Sequence, residues 1–193
     1  MNKKSKTIAL FGVWAAVIFI MLLLETYVFS TVLPVAPPAV FSLAATFSFC
    51  VFKDWKFGIA GGVIFGVCSM IVASMIGNPY FILPWVSLLP RAVAGGIAWA
   101  VCAGATKLFQ SAKSEFWRET LPSALGGMFG VLCNSLLVLT MLAISTDAYG
   151  GSFLKAMQAL IVTNTLFELL AGLILVPVIV KTVKKAYYKG NNK

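Results

Sequence analysis

The chain alternates six long apolar stretches with short polar or turn-forming segments. The stretches lie at about 8–33, 38–52, 57–77, 85–106, 121–146 and 153–180. A bilayer core about 30 Å thick needs ~20 apolar residues of helix at 1.5 Å rise each. The pattern therefore predicts an all-α, polytopic membrane protein, a six-transmembrane-helix bundle forming one domain over 1–193. The connections are short: Lys53 to Lys56, Gly77 to Tyr80, Lys107 to Thr120, and Ser145 to Gly151. The second stretch is the shortest. Pro34, Pro37 and Pro38 precede it with extended or turn geometry, and Pro38 can open a helix at its first position. The first stretch is too long for a signal peptide and no cleavage-like segment follows it.

Composition sharpens this picture. Of the 193 residues 60% are apolar and 11% charged, where soluble domains are nearer half apolar and a quarter charged. Such a chain cannot cover itself with polar surface, which removes soluble enzymes, disordered regulators and nucleic-acid-binding domains despite a net charge of +9. Thirteen of the 15 Lys and Arg fall on one side of a six-span arrangement: Lys3, Lys4, Lys6, Lys53, Lys56, Lys107, Lys113, Arg118, and five lysines from Lys181 onward. The other side holds Lys155, and Arg91 lies inside a span. Basic residues favour the cytoplasmic side, so both termini are expected in the cytoplasm. Topology and contact with anionic lipid then account for the charge, with no nucleic-acid partner. The chain has no histidine, which excludes histidine-based metal sites and general bases. Cys50, Cys68, Cys102 and Cys133 each sit in an apolar run without CxxC spacing and read as buried free thiols.

In lipid, helices associate where small residues let backbones approach. The third span carries Gly58, Gly62 and Gly66, the fourth Gly96, Ala100 and Gly104, the fifth Gly126 and Gly130, all expected to pack inside the bundle. In the first span Gly12 and Ala16 are spaced four apart beside Ala9 and Ala15, and periodicity alone does not say what they face. Trp14 and Trp117 read as interfacial anchors, and the segment from Gln110 to Thr120 as a short interfacial amphipathic element.

Charges at bilayer depth are functional candidates by default. Three occur: Glu25, Arg91 and Glu168. At 1.5 Å per residue from the outer helix ends, Arg91 lies roughly 10 Å deep and Glu25 about 12 Å. Glu168 falls one helical turn from Asn164, and Asn134 has a comparable depth in the fifth span. Together they predict a polar patch in the outer half, open towards the uncharged Asn78–Trp85 loop. Two readings stand: an internal salt bridge such as Arg91 with Glu25, or an anion clamp at Arg91, whose planar fork bonds carboxylate or phosphate bidentately. Tyr80, Phe81 and Trp85 would wall such a pocket.

The run Asp54-Trp55-Lys56-Phe57-Gly58 through Gly66, the segment Asn78-Pro79-Tyr80-Phe81 leading to Leu89-Pro90-Arg91, the run Asn134 to Leu139, and Thr163-Asn164-Thr165-Leu166-Phe167-Glu168 resemble, in this order, the S-components of energy-coupling factor (ECF) vitamin transporters. The likeness extends from Ala9 to Pro177. It implies a six-helix subunit of a bacterial plasma membrane that captures a vitamin from outside. Such subunits work with a shared module of one transmembrane coupling protein and two ATPases. Family members contact the coupling protein through a small-xxx-small motif on the first helix. Gly12 and Ala16 match it, with glycine in place of the first alanine. The loop before the fourth span acts as a gate in the family, which carries over to Asn78 through Trp85, including Tyr80. The LPR variant with Asn134 looks most like the pantothenate branch. Arg91 would pair the vitamin carboxylate while Asn134, Asn164 and Glu168, with Asn78, Tyr80 and Trp85 of the loop, complete the site. Branches for folate, cobalamin, riboflavin, pyridoxine or hydroxymethylpyrimidine remain open.

No GxxxxGK[ST] phosphate loop occurs, so the chain holds no cofactor of its own, is not expected to be an enzyme, and leaves ATP hydrolysis to its partners. An autonomous proton-coupled carrier using Glu25 or Glu168 is the competing class, disfavoured by the lack of an evident inverted repeat. An intramembrane protease lacks both the histidine and the paired aspartates it would need.

Overall fold

The computed structural model describes residues 3–29, 39–145 and 165–189, with Ser152, Leu154, Lys155 and Gln158 between the last two. Helix α1 covers Lys3–Leu24 and runs on as a π-helical turn, Glu25–Phe29; α2 is Val40–Cys50, α3 Trp55–Met75, α4 Pro84–Ser87, α5 Leu89–Leu108, α6 Leu121–Ser145 and α7 Thr165–Lys189. A π-helical turn, Phe116–Thr120, leads directly into α6 in place of a separate amphipathic segment. The described residues form an all-helical bundle. Five of its helical stretches are long and apolar enough to cross a membrane.

The sixth is not. At 11 residues α2 is roughly 16 Å long, half a bilayer core. Every residue from Ser42 to Cys50 is buried, so α2 fills the centre of the bundle and touches α1, α3, α5, α6 and α7. Two of its three hydroxyls are turned back on its own backbone: Thr46 donates to the Ser42 carbonyl at 2.7 Å and Ser48 to that of Ala44 at 2.6 Å, while the Ser42 hydroxyl has no hydrogen-bond partner among the described residues. Such back-bonding satisfies polar groups that the surroundings cannot.

Successive long elements are antiparallel. Glu25 of α1 meets the start of α2, while Phe11 and Trp14 meet Phe49 near its end, at ring separations of 5.0 and 5.5 Å. Trp14 is thus a core residue, 6% exposed, rather than an interfacial anchor. Trp117, half exposed beside Phe116 and Phe109, fits that role. The alternation brings both described chain ends to one side, with Lys53, Lys107, Arg118 and Lys184. The last helix continues past the expected 180 to Lys189, because Lys181, Lys184 and Lys185 are good helix formers that reach out of the apolar zone.

Glycine seams set the spacing of the long helices. A Cβ on Gly58 would lie 2.8 Å from that of Trp99, and one on Gly66 would lie 2.9 Å from the Ser87 carbonyl oxygen. One on Gly62 would collide with the carbonyl oxygen of Arg91. The third-span glycines therefore pack internally against α5, and Gly126 and Gly130 likewise meet α5 and α2. On α5 itself the register differs from expectation. Gly95 abuts Gly58, whereas Gly96 has only an ordinary contact and Gly104 faces open space. A second seam, Gly127 against Gly172, joins α6 to α7.

Gly62→Ala should destabilise the bundle by about 1–3 kcal/mol through overpacking against rigid backbone. Gly12→Ala, with nothing within 4 Å of its added methyl, should be neutral to within ~0.5 kcal/mol. Thermal unfolding of the two variants in detergent checks the contrast.

Candidate functional site

The expected polar patch separates into two. The first gathers at the N-terminus of α2. A helix start leaves N–H groups without intrahelical acceptors, and at membrane depth no water replaces them. Here two carboxylates supply acceptors from elsewhere in the chain. Glu25 Oε1 accepts from the backbone N–H of Phe41 and from that of Ser42 at 3.0 Å. Glu168 Oε1 accepts from the N–H of Ala39 at 3.1 Å, and its Oε2 takes a long bond, 3.5 Å, from the Ser135 hydroxyl. Both acids thus hold the helix end, where its dipole also favours negative charge. Glu168 belongs to this cap and not, through any described contact, to the neighbourhood of Arg91.

The second centre is Arg91. Proline at 90 lacks an N–H and crowds the preceding turn, and the helix is interrupted at Leu88 between α4 and α5. The Arg91 guanidinium occupies the turn, Nη1 donating to the Ser87 carbonyl at 2.7 Å. Its carbon lies 4.9 Å from the centre of the Phe65 ring and 5.6 Å from that of Phe81, within cation–π range. The Ser87 hydroxyl donates to the Phe81 carbonyl and so pins the loop above. Arg91 is 6% exposed, and its Nε has no partner among the described residues. Neither described ion pair involves it: these are Lys181–Glu115 and Arg118–Glu119. The Arg91–Glu25 salt bridge is therefore not formed. A guanidinium offers five donors in a planar fork, and among the described residues one hydrogen bond engages it.

Asn134, on α6, is buried, and its Oδ1 has no partner among the described residues. No described hydrogen bond joins it to Arg91. Asn164 lies outside the described residues. Asn78 builds the loop: its Oδ1 accepts from the Tyr80 N–H at 3.1 Å, directly after Gly77 at φ 69°. This is an Asx turn following a left-handed residue, a structural use of the side chain. Tyr80 and Trp85 are 40% and 51% exposed, so the ring that reaches Arg91 is that of Phe81. Below the loop, Val86 is fully buried and packs with Val138 and Leu142 of α6. Gly12 and Ala16 both lie on the exposed side of α1, flanked by Ile8, Val13 and Ile20.

Sequence reading did not single out Phe65, Ser135 or the polar face of α2. The Ser42–Thr46 spacing of four inside an apolar run was the available signal. Comparison with family models, with curated proteins and with solved structures finds no significant match to this chain.

Glu25→Ala should remove the Glu25 acceptor from the Phe41 and Ser42 amides and cost about 1–3 kcal/mol. Glu25→Gln, which keeps an acceptor oxygen, should lose less than half of that. Thermal unfolding, with hydrogen exchange at those two amides, distinguishes lost capping from a general defect.

Proposed function

We propose that this chain is the substrate-capturing membrane subunit of an ECF-type vitamin importer in a bacterial plasma membrane, binding a carboxylate vitamin, pantothenate foremost. The observation that carries the reading is Arg91, a cation buried between two aromatic rings with no carboxylate partner among the described residues. Burying such a charge is costly unless an anion completes its hydrogen bonds. A vitamin carboxylate approaching the free edge of the guanidinium would do so bidentately. The unpartnered Oδ1 of Asn134 suits a hydroxyl or amide donor of the same ligand. Phe81, carried by a loop fixed at Asn78 and Ser87, forms the roof on the outer side.

In this reading the chain performs no chemistry. A transmembrane coupling protein and two ATPases supply the energy, with Gly12 and Ala16 on the exposed face of α1 as the docking strip. A proton-coupled carrier would draw on Glu25 and Glu168, but Glu25 Oε1 and both oxygens of Glu168 are engaged around the start of α2, and only Glu25 Oε2 is left without a partner among the described residues.

Mass spectrometry of the small molecule that copurifies with the detergent-solubilised chain should find a carboxylate vitamin; a neutral compound in its place would defeat the clamp. Arg91→Ala should weaken binding of that vitamin at least ~30-fold, the scale of losing one member of a buried charge pair. Gly12→Leu or Ala16→Leu should leave binding intact and abolish ATP-dependent uptake in reconstituted vesicles. Uptake driven by a pH gradient without ATPases would favour the carrier instead.

A further inference from the structure

At the opposite end of the bundle from Arg91, a polar cavity of about 580 Å³ opens among the α2–α3 turn, the end of α5, the turn before α6, and α7. Its volume lies within the roughly 300–1,000 Å³ of small-molecule sites. Five cations line it, Lys53, Arg118, Lys181, Lys184 and Lys185, and two carboxylates, Glu115 and Glu119. The acids are already engaged. Glu115 lies 2.9 Å from the Lys181 ammonium, whose hydrogen bond and charge hold the Glu115 carboxyl below its ordinary range. Glu119 lies 3.7 Å from Arg118. Lys53, Lys184 and Lys185 then face the cavity with no carboxylate partner among the described residues. Thr106 and Ser123 also line it, their hydroxyls already donating to the Cys102 and Glu119 carbonyls, above a floor that includes Phe52.

We propose that this cavity binds the phosphate of an anionic phospholipid headgroup. Three uncompensated lysines from two separate elements converge on one concave site, the arrangement that a phosphate with several acceptor oxygens satisfies. A lipid is the favoured source of that phosphate because of the neighbouring surface. Leu108, 81% exposed, and the half-exposed Phe116 and Trp117 lie within two residues of the cavity residues Thr106, Glu115 and Arg118, at the end of α5 and in the turn before α6. They offer the apolar and aromatic border on which acyl chains and the glycerol region would rest. On the sidedness expected from the basic residues, this is the inner leaflet. The proposal does not depend on the vitamin reading, since no cavity residue contacts Arg91, Asn134 or the α2 cap.

The test uses the full chain in neutral detergent, probed by native mass spectrometry with phosphatidylglycerol, phosphatidylcholine, glycerol 3-phosphate and inorganic phosphate. Phosphatidylglycerol should be retained at least ~tenfold better than phosphatidylcholine, and the Lys53→Gln/Lys184→Gln/Lys185→Gln variant should lose that preference. Retention by the unaltered chain should also fall in 0.5 M salt, a readout that needs no variant. Inorganic phosphate or glycerol 3-phosphate displacing the lipid at equal concentration would uphold the phosphate site and assign it to a soluble ligand. Equal retention of both lipids by the unaltered chain would overturn the proposal. So would undiminished phosphatidylglycerol preference in a variant whose melting curve is unchanged.

Discussion

The bundle depends on the way a helix too short to cross the membrane is terminated inside it. Helix α2 begins at membrane depth, where water does not replace a missing acceptor, and an unsatisfied donor there costs several kcal/mol. Its own neighbourhood provides no cap: Ala39 precedes it, with no side-chain acceptor. Glu25 and Glu168, 129 residues apart from Ala39 in the second case, supply the missing acceptors. One comes from α1 and the other from α7, so a single helix end ties both peripheral helices to the centre. The same arrangement engages three of the four oxygens of these acids away from Arg91, which is left with no described counter-charge.

Where that cation sits is decided by backbone contact rather than by polar bonds. Gly62 lets α3 approach until it touches the carbonyl of Arg91, and Gly66 does the same at Ser87 and Leu88. Pro90 then breaks the helix within this seam, so the Ser87 carbonyl is available to the guanidinium. Because α3 also carries Phe65, the seam that fixes the Arg91 backbone also presents an aromatic face to its side chain. The α3–α5 glycines and the arginine environment are therefore one structural unit, and a methyl group at the seam acts on the surroundings of Arg91 without touching its side chain.

Much of this was legible in the sequence, and the limits have physical causes. The long spans, the alternation of direction and the packing role of Gly58, Gly62 and Gly66 follow from apolar length, basic residues and small-residue spacing, all local properties. The α5 register was missed because Gly95 and Gly96 are adjacent, and only the position of the partner helix decides which of the two faces it. Glu25 and Glu168 were recognised as exceptional, but their purpose was not, since pairing a carboxylate with a backbone N–H leaves no mark on residue identity. The Asn78 side chain was counted with the ligand-binding groups although an Asn after a glycine is equally a turn builder, which is how the fold uses it. Trp14 shows the same limit in reverse: its indole is enclosed by Phe49 and the core because α1 meets α2 at that level.

The position of α1 follows from these constraints. Apolar side chains gain little by leaving lipid for a helix neighbour, so α1 is held by shape and by specific bonds rather than by hydrophobic force. It packs on α2 and α3 through Phe11, Trp14 and Ile18, and is secured at its other end by Glu25. Towards α7 the packing is looser, with an apolar cavity of about 440 Å³ bounded by residues such as Val17, Ala44 and Ile179. A helix fastened at one end by a buried carboxylate and along one edge by aromatics can present Gly12 and Ala16 outward without loss of core contacts. The face that lacks internal partners is thus the one whose small side chains would allow another helix to come closest.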